Sequence, residues 1–125
     1  MAPLTVSNYL GLLQTDPDDE AAVEGLRAAV ASDDPAVRGD DPVRLIEAAR
    51  QTHEARNEFR AAAWLIEVEA ALVAEDDPEL FVALQRELGR IRQEELLDDP
   101  GAREAWGAAL AMRPDDPELE ARLAQ

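Results

Sequence analysis

The sequence predicts an all-α fold of antiparallel helix pairs, and three observations carry that prediction. Apolar residues make up 46% of the chain but aromatics only 4%, and 24 of its 125 residues are Ala. A core of that composition is assembled from small aliphatic side chains where helices approach closely, not from the β-branched and aromatic residues that favour sheet. Apolar positions recur at spacings of 3 and 4, the helical period. The segments so patterned are punctuated by Asp-Pro pairs: Asp34-Pro35, Asp41-Pro42, Asp77-Pro78, Asp99-Pro100 and Asp116-Pro117. In each pair the carboxylate suits an N-cap, where it accepts from free N–H groups, and the proline suits the first helical turn. The length fits one domain, residues 1–125, with enough chain to bury a core.

Residues 4–14 (LTVSNYLGLLQ) read as a short helix that stops before Asp16-Pro17. Residues 19–31 form the next, with Ala22, Val23, Leu26 and Val30 on one face; Gly25 inside it either weakens the helix or admits a neighbour. The stretch 32–41 (SDDPAVRGDD) has little that is apolar and is expected to be an irregular loop with the weakest order. Asp34-Pro35, inside it, is the pair least expected to start a helix. Helices over 42–55 and 58–75 follow, parted by Arg56-Asn57. The second is apolar on two sides, with Phe59, Ala62, Ala63, Ile66, Ala70 and Val73 on one and Leu65 and Leu72 on the other, as in a layered helical array. Helices over 78–97 and 101–112 come next, then a short one from Pro117 to the end. Trp64 and Trp106 read as large core side chains. The last helix offers Leu119 and Leu123 with no following layer in sequence, so a second copy of the chain or further repeats are expected to cover them.

One segment, Pro78 to Pro117, carries a recognisable pattern. Leu88-Gly89 lies in its first helix, Ala102, Trp106 and Ala109 follow at spacings of 4 and 3 in its second, and Pro114 closes it. This resembles a tetratricopeptide repeat. The pattern has a physical sense: Gly89 lets two helices approach, Trp106 is the knob, Ala102 and Ala109 are the holes, and Pro114 ends the helix. A second copy, with Ile46, Ala49, Arg50 and His53 in one helix and Phe59, Ala62 and Ile66 in the next, departs from the pattern at Arg50, where Gly is usual, and at His53, where an aromatic is. The resemblance assigns two units to 42–117, degenerate helices to 1–31 (Tyr9 at an aromatic position) and a short final helix to 118–125. It implies a short right-handed α-solenoid and a non-catalytic module that binds a protein or peptide. On that register Arg44, Gln51, Arg86, Arg90 and Gln93 line the concave groove. Arg86 and Arg90 stand one turn apart, suited to gripping a partner's carboxylate. The competing reading is local ion pairing: Glu87 and Glu94 are within reach of Arg90, whereas Arg86 has only Val82 and Arg90 at i−4 and i+4.

Composition narrows the function classes. Net charge is −16, from 28 acidic residues against 12 Arg and no Lys. Such a surface repels nucleic acid and anionic lipid and favours a basic partner, so an acidic decoy or inhibitor of a basic protein is the alternative to a groove binder. Cysteine is absent, which removes disulfides, thiolate metal sites and a thiol nucleophile. The first basic residue is Arg27, no signal-like n-region precedes it, and no apolar run approaches the roughly 20 residues of a membrane span. The expectation is a soluble, cytoplasmic protein. His53, the sole histidine, has no nucleophile in a known local pattern and is expected to be packed or half-exposed; a ligand-bound cleft centred on it would instead indicate an enzyme. The Asp pairs lack the spacing of a calcium loop. Glu67 with Glu69, or Glu94 with Glu95, can be posed as acid–base pairs, but with so many carboxylates a solvated helix face is the better account. No catalytic residue, metal or cofactor is expected.

Overall fold

A computed structural model describes residues 3–125, which form eight helical segments and no strand: α1 (Val6–Thr15), α2 (Glu20–Val30), α3 (Pro35–Arg38), α4 (Pro42–Ala55), α5 (Phe59–Val73), α6 (Pro78–Glu94), α7 (Asp99–Met112) and α8 (Pro117–Ala124). The all-α expectation holds for these residues. Among them no helix is long and apolar enough to cross a membrane.

Asp side chains set most of the helix starts. Asp41 accepts from the Arg44 amide at 3.1 Å, Asp77 from Leu80 at 3.1 Å, and Asp116 from both Glu118 and Leu119 at 3.0 and 3.1 Å, each followed by proline in the first turn. Two starts differ from the expected pattern. At α7 the cap is Asp98, which accepts from the Gly101 amide at 2.9 Å, and Asp99 is the first helical residue. At Asp34-Pro35 the cap does form, accepting from Ala36 at 2.9 Å, so the stretch 32–41 holds one helical turn, α3, which Gly39 ends at φ +86°. A further cap was not foreseen. Thr5 and Asn8 close a reciprocal box at the start of α1, each side chain accepting from the other's backbone N–H.

The described residues divide into two compact units, with the division inside α5: one ends at Val68, the other is Glu69–Gln125. In the first unit α1 packs on α2 and on α4, and α2 packs also on α3. Gly25 admits a neighbour rather than weakening its helix. A Cβ there would lie 2.5 Å from Tyr9 Cζ and 2.8 Å from Cδ1, so the phenol ring rests against bare backbone. Leu13, Leu26 and Ile46 are fully buried, and Arg27 of α2 pairs with Glu67 of α5 at 3.0 Å.

In the second unit the most extensive contact is α6 with α7, and α8 packs on α7. Gly89 does for Trp106 what Gly25 does for Tyr9: a Cβ would sit 2.5 Å from the indole Cδ1 and 2.6 Å from Cε2. Trp106 is buried with Val82, Ala102, Ala109 and Leu119, and Phe81, Leu110 and Leu123 pack against that cluster. Leu119 is therefore buried within the chain and Leu123 partly so. Arg103 of α7 closes the end of α8 by donating to the Leu123 carbonyl at 2.7 Å and to that of Gln125. Arg122 lies over the Trp106 ring, 5.3 Å from its centroid. Of the two tryptophans only Trp106 is buried; Trp64 is half-buried, with the Arg60 guanidinium 5.9 Å from its ring centroid.

Candidate functional site

Two surfaces bear on function, one in each unit. The second unit holds Arg86 and Arg90, one turn apart on α6. They share a cavity of about 260 Å³ with Trp106, Glu118 and Arg122. Both are engaged by acids of the same chain. Arg86 is bridged to Asp116 and, at 3.2 Å, to Glu118, both at the start of α8. Arg90 donates from Nε to Glu87 at 3.1 Å and from Nη1 to Glu94 at 3.1 Å. The bond to Glu87 first, then that to Glu94, outweighs partial burial and holds the Arg90 guanidinium charged, above its ordinary value. Both guanidiniums are thus in the local ion pairing that stood as the competing reading of this pair. Arg86 lacked a partner only in its own helix, and the chain supplies one 30 residues on. Gln93 is half-buried on α6. Arg44 and Gln51 are exposed on α4, in the first unit, and line none of the cavities described here.

The first unit holds a cleft that the sequence did not point to. Between α1 and α4 lies a cavity of about 280 Å³ lined by Ser7, Leu10, Gly11 and Gln14 from α1 and by Leu45, Ala48, Ala49, Thr52 and His53 from α4. In a chain of net charge −16 this lining contains no Asp, Glu or Arg. Its walls are small or aliphatic, because Gly11, Ala48 and Ala49 present almost no side chain. Leu45 is 40% exposed at its edge, and Leu12 and Leu4 of the same unit are also exposed. Apolar side chains left in water cost free energy, about 25 cal/mol per Å² of surface that a partner would cover.

His53 lies in this lining and is only 2% exposed. The turn that ends α4 holds it. Asn57 takes a left-handed conformation (φ +59°), which sends the Asn57 amide to the Glu54 carbonyl at 3.0 Å and the Glu58 amide to the His53 carbonyl at 2.9 Å. The same turn returns the Glu58 carboxylate to the imidazole, with Oε1 2.8 Å from Nδ1. An ionised carboxylate only accepts, so Nδ1 carries the hydrogen, and in the neutral ring Nε2 is the acceptor. His53 is thus packed, as expected; the oriented partner Glu58, five residues on, was missed. Its available signal was the Arg56-Asn57 break, since Asn is the residue after Gly that most readily ends a helix this way.

The carboxylates posed as acid–base pairs lie in different surroundings. Glu67 pairs with Arg27 and Glu94 with Arg90. Glu69, by contrast, is fully buried, Glu95 is exposed, and among the described residues no group of three His, Cys, Asp or Glu side chains is placed to hold a metal ion. Comparison of the chain with protein-family models, with curated proteins and with solved structures gives no match in any of the three.

Proposed function

We propose that the chain is a tetratricopeptide-like interaction module that binds a protein or peptide segment, and that the α1/α4 cleft is its recognition surface. The uncharged lining of that cleft is the observation that carries the reading. In a chain with 28 acidic residues, a partner meets here aliphatic walls, the exposed edge of Leu45 and a few neutral polar groups, the composition of a groove that accepts part of a peptide. The repeat resemblance supports it, since a glycine admits an aromatic ring in two separate helix pairs, Gly25 with Tyr9 and Gly89 with Trp106.

The test is selection of a phage-displayed random peptide library on the purified protein, followed by chemical-shift mapping of an enriched peptide. The reading expects the largest shifts at Gly11, Leu45, Ala48 and Ala49. Shifts confined to acidic faces would overturn it. The second reading, an acidic decoy for a basic protein, is favoured by the net charge of −16. It expects enriched peptides to be rich in Lys and Arg and their affinity to collapse with added salt whatever the state of the cleft.

A further inference from the structure

We propose that the α1/α4 cleft recognises a phenolic side chain, a tyrosine of the bound partner, through a hydrogen bond to His53 Nε2. This rests on the cleft being the recognition surface and specifies what enters it. Size sets the first limit. About 280 Å³ is at the lower edge of the roughly 300–1,000 Å³ of small-molecule sites, so the cavity takes one side chain and not a whole peptide.

Chemistry sets the second. Glu58 engages Nδ1 at 2.8 Å, and among the described residues the His53 ring makes no other hydrogen bond. An acceptor held in one tautomer favours an occupant that brings a donor, and penalises an isostere without one, because that isostere would desolvate the nitrogen and leave it unpaired. Charge sets the third. The lining has no carboxylate to receive a Lys or Arg and no cation to receive an acid, so the donor is neutral. The walls of Leu10, Leu45, Ala48 and Ala49 ask for an apolar body behind it. A flat ring tipped with one hydroxyl meets all three conditions; it also buries more apolar surface than Ser or Thr, and its donor is stronger than an amide's.

The experiment titrates the full chain with two probes, 4-methylphenol and 4-methylanisole, which share ring and methyl group but differ in the hydroxyl hydrogen. Backbone and methyl shifts locate each probe, and long-range proton–nitrogen correlation reads the tautomer of His53. The expected result is binding of 4-methylphenol with shifts at Gly11, Leu45, Ala48 and Ala49, at least about tenfold tighter than 4-methylanisole, a ratio worth about 1.4 kcal/mol. Nε2 should appear as an unprotonated nitrogen and move only with the phenol. The variant His53→Phe, checked for helicity, should reduce the preference to near unity. Equal affinities, or an Nε2 that carries the hydrogen, would overturn the assignment. Entry of both probes with equal affinity would leave the cleft as the recognition surface and remove only the tyrosine. Phenol binding at His53 together with selected peptides that ignore the cleft would do the reverse.

Discussion

Gly89→Ala is the substitution in which the packing account makes its sharpest commitment. The new methyl would start 2.5 Å from indole Cδ1 and 2.6 Å from Cε2, whereas carbon atoms rest at about 3.5–4.0 Å. The ring would have to retreat by about 1 Å. It has nowhere soft to go, since Trp106 is buried among Val82, Ala102, Ala109 and Leu119. Overpacking of this kind costs about 1–3 kcal/mol. The same change in an unobstructed helix gains up to about 1 kcal/mol, because Ala is the better helix former. The expected net effect is destabilisation by about 1–2 kcal/mol. Gly107→Ala is the control: it makes the same chemical change on the neighbouring helix, where an added Cβ meets nothing within 4 Å. That variant should be stabilised by about 0.5–1 kcal/mol. Urea denaturation with a shared slope measures both. The double variant Gly89→Ala with Trp106→Leu should cost less than the sum of its parts, since a smaller side chain gives the methyl room. Gly89→Ala as stable as Gly107→Ala would refute the close approach of α6 and α7 as described.

Four further outcomes follow. Leu97 holds φ +54° while 84% exposed, a conformation costing a branched residue about 1–2 kcal/mol, so Leu97→Asn should raise stability by up to about 1 kcal/mol, read as a higher Tm. Arg86→Gln unties α8 from α6 and should lower stability by about 1 kcal/mol and speed amide exchange in α8; Arg90→Gln removes only pairs within its own helix and should cost about 0.5 kcal/mol or less. The raised pKa of Arg90 adds no pH dependence in ordinary buffers, because stability gained from a cation with an elevated pKa is complete below its unfolded value, which for a guanidinium lies far above neutral pH, and is lost only above it. With net charge −16, screening should relieve self-repulsion, and Tm should rise between low and physiological NaCl; a flat or falling Tm would mean that caps and ion pairs already offset it.

What was legible in the sequence was local. The start of α4 at Pro42 and its end at Ala55 were readable to the residue, because Asp41-Pro42 and Arg56-Asn57 write both boundaries within one turn of chain. The register at Asp98–Pro100 was off by one because either Asp can precede the helix on sequence grounds, and only the 2.9 Å bond to Gly101 chooses. Thr5 was passed over because its box partner is Asn8 rather than the usual Glu or Gln. The partner of Arg86 was hidden for a different reason. Scanning i±4 sees Glu94 but not Asp116, which reaches Arg86 only once α8 has folded back. The cleft was invisible for a related one: its uncharged lining comes from residues 7–14 and 45–53, and nothing in either stretch alone distinguishes it from an ordinary helix face.

The central claim, that the α1/α4 cleft and not the charged surface recognises a partner, is tested most directly by plugging it. Gly11 lines the cleft on an exposed face of α1, and a Cβ there meets nothing within 4 Å, so Gly11→Trp fills the cavity without crowding the core. Calorimetric titration of a selected peptide into the wild type, Gly11→Trp and the paired Arg86→Gln, Arg90→Gln variant gives three affinities. The account predicts a loss of at least about tenfold for Gly11→Trp, or 1.4 kcal/mol, and less than about twofold for the arginine variant. An unchanged affinity with Gly11→Trp, or a loss confined to the arginine variant, would contradict it.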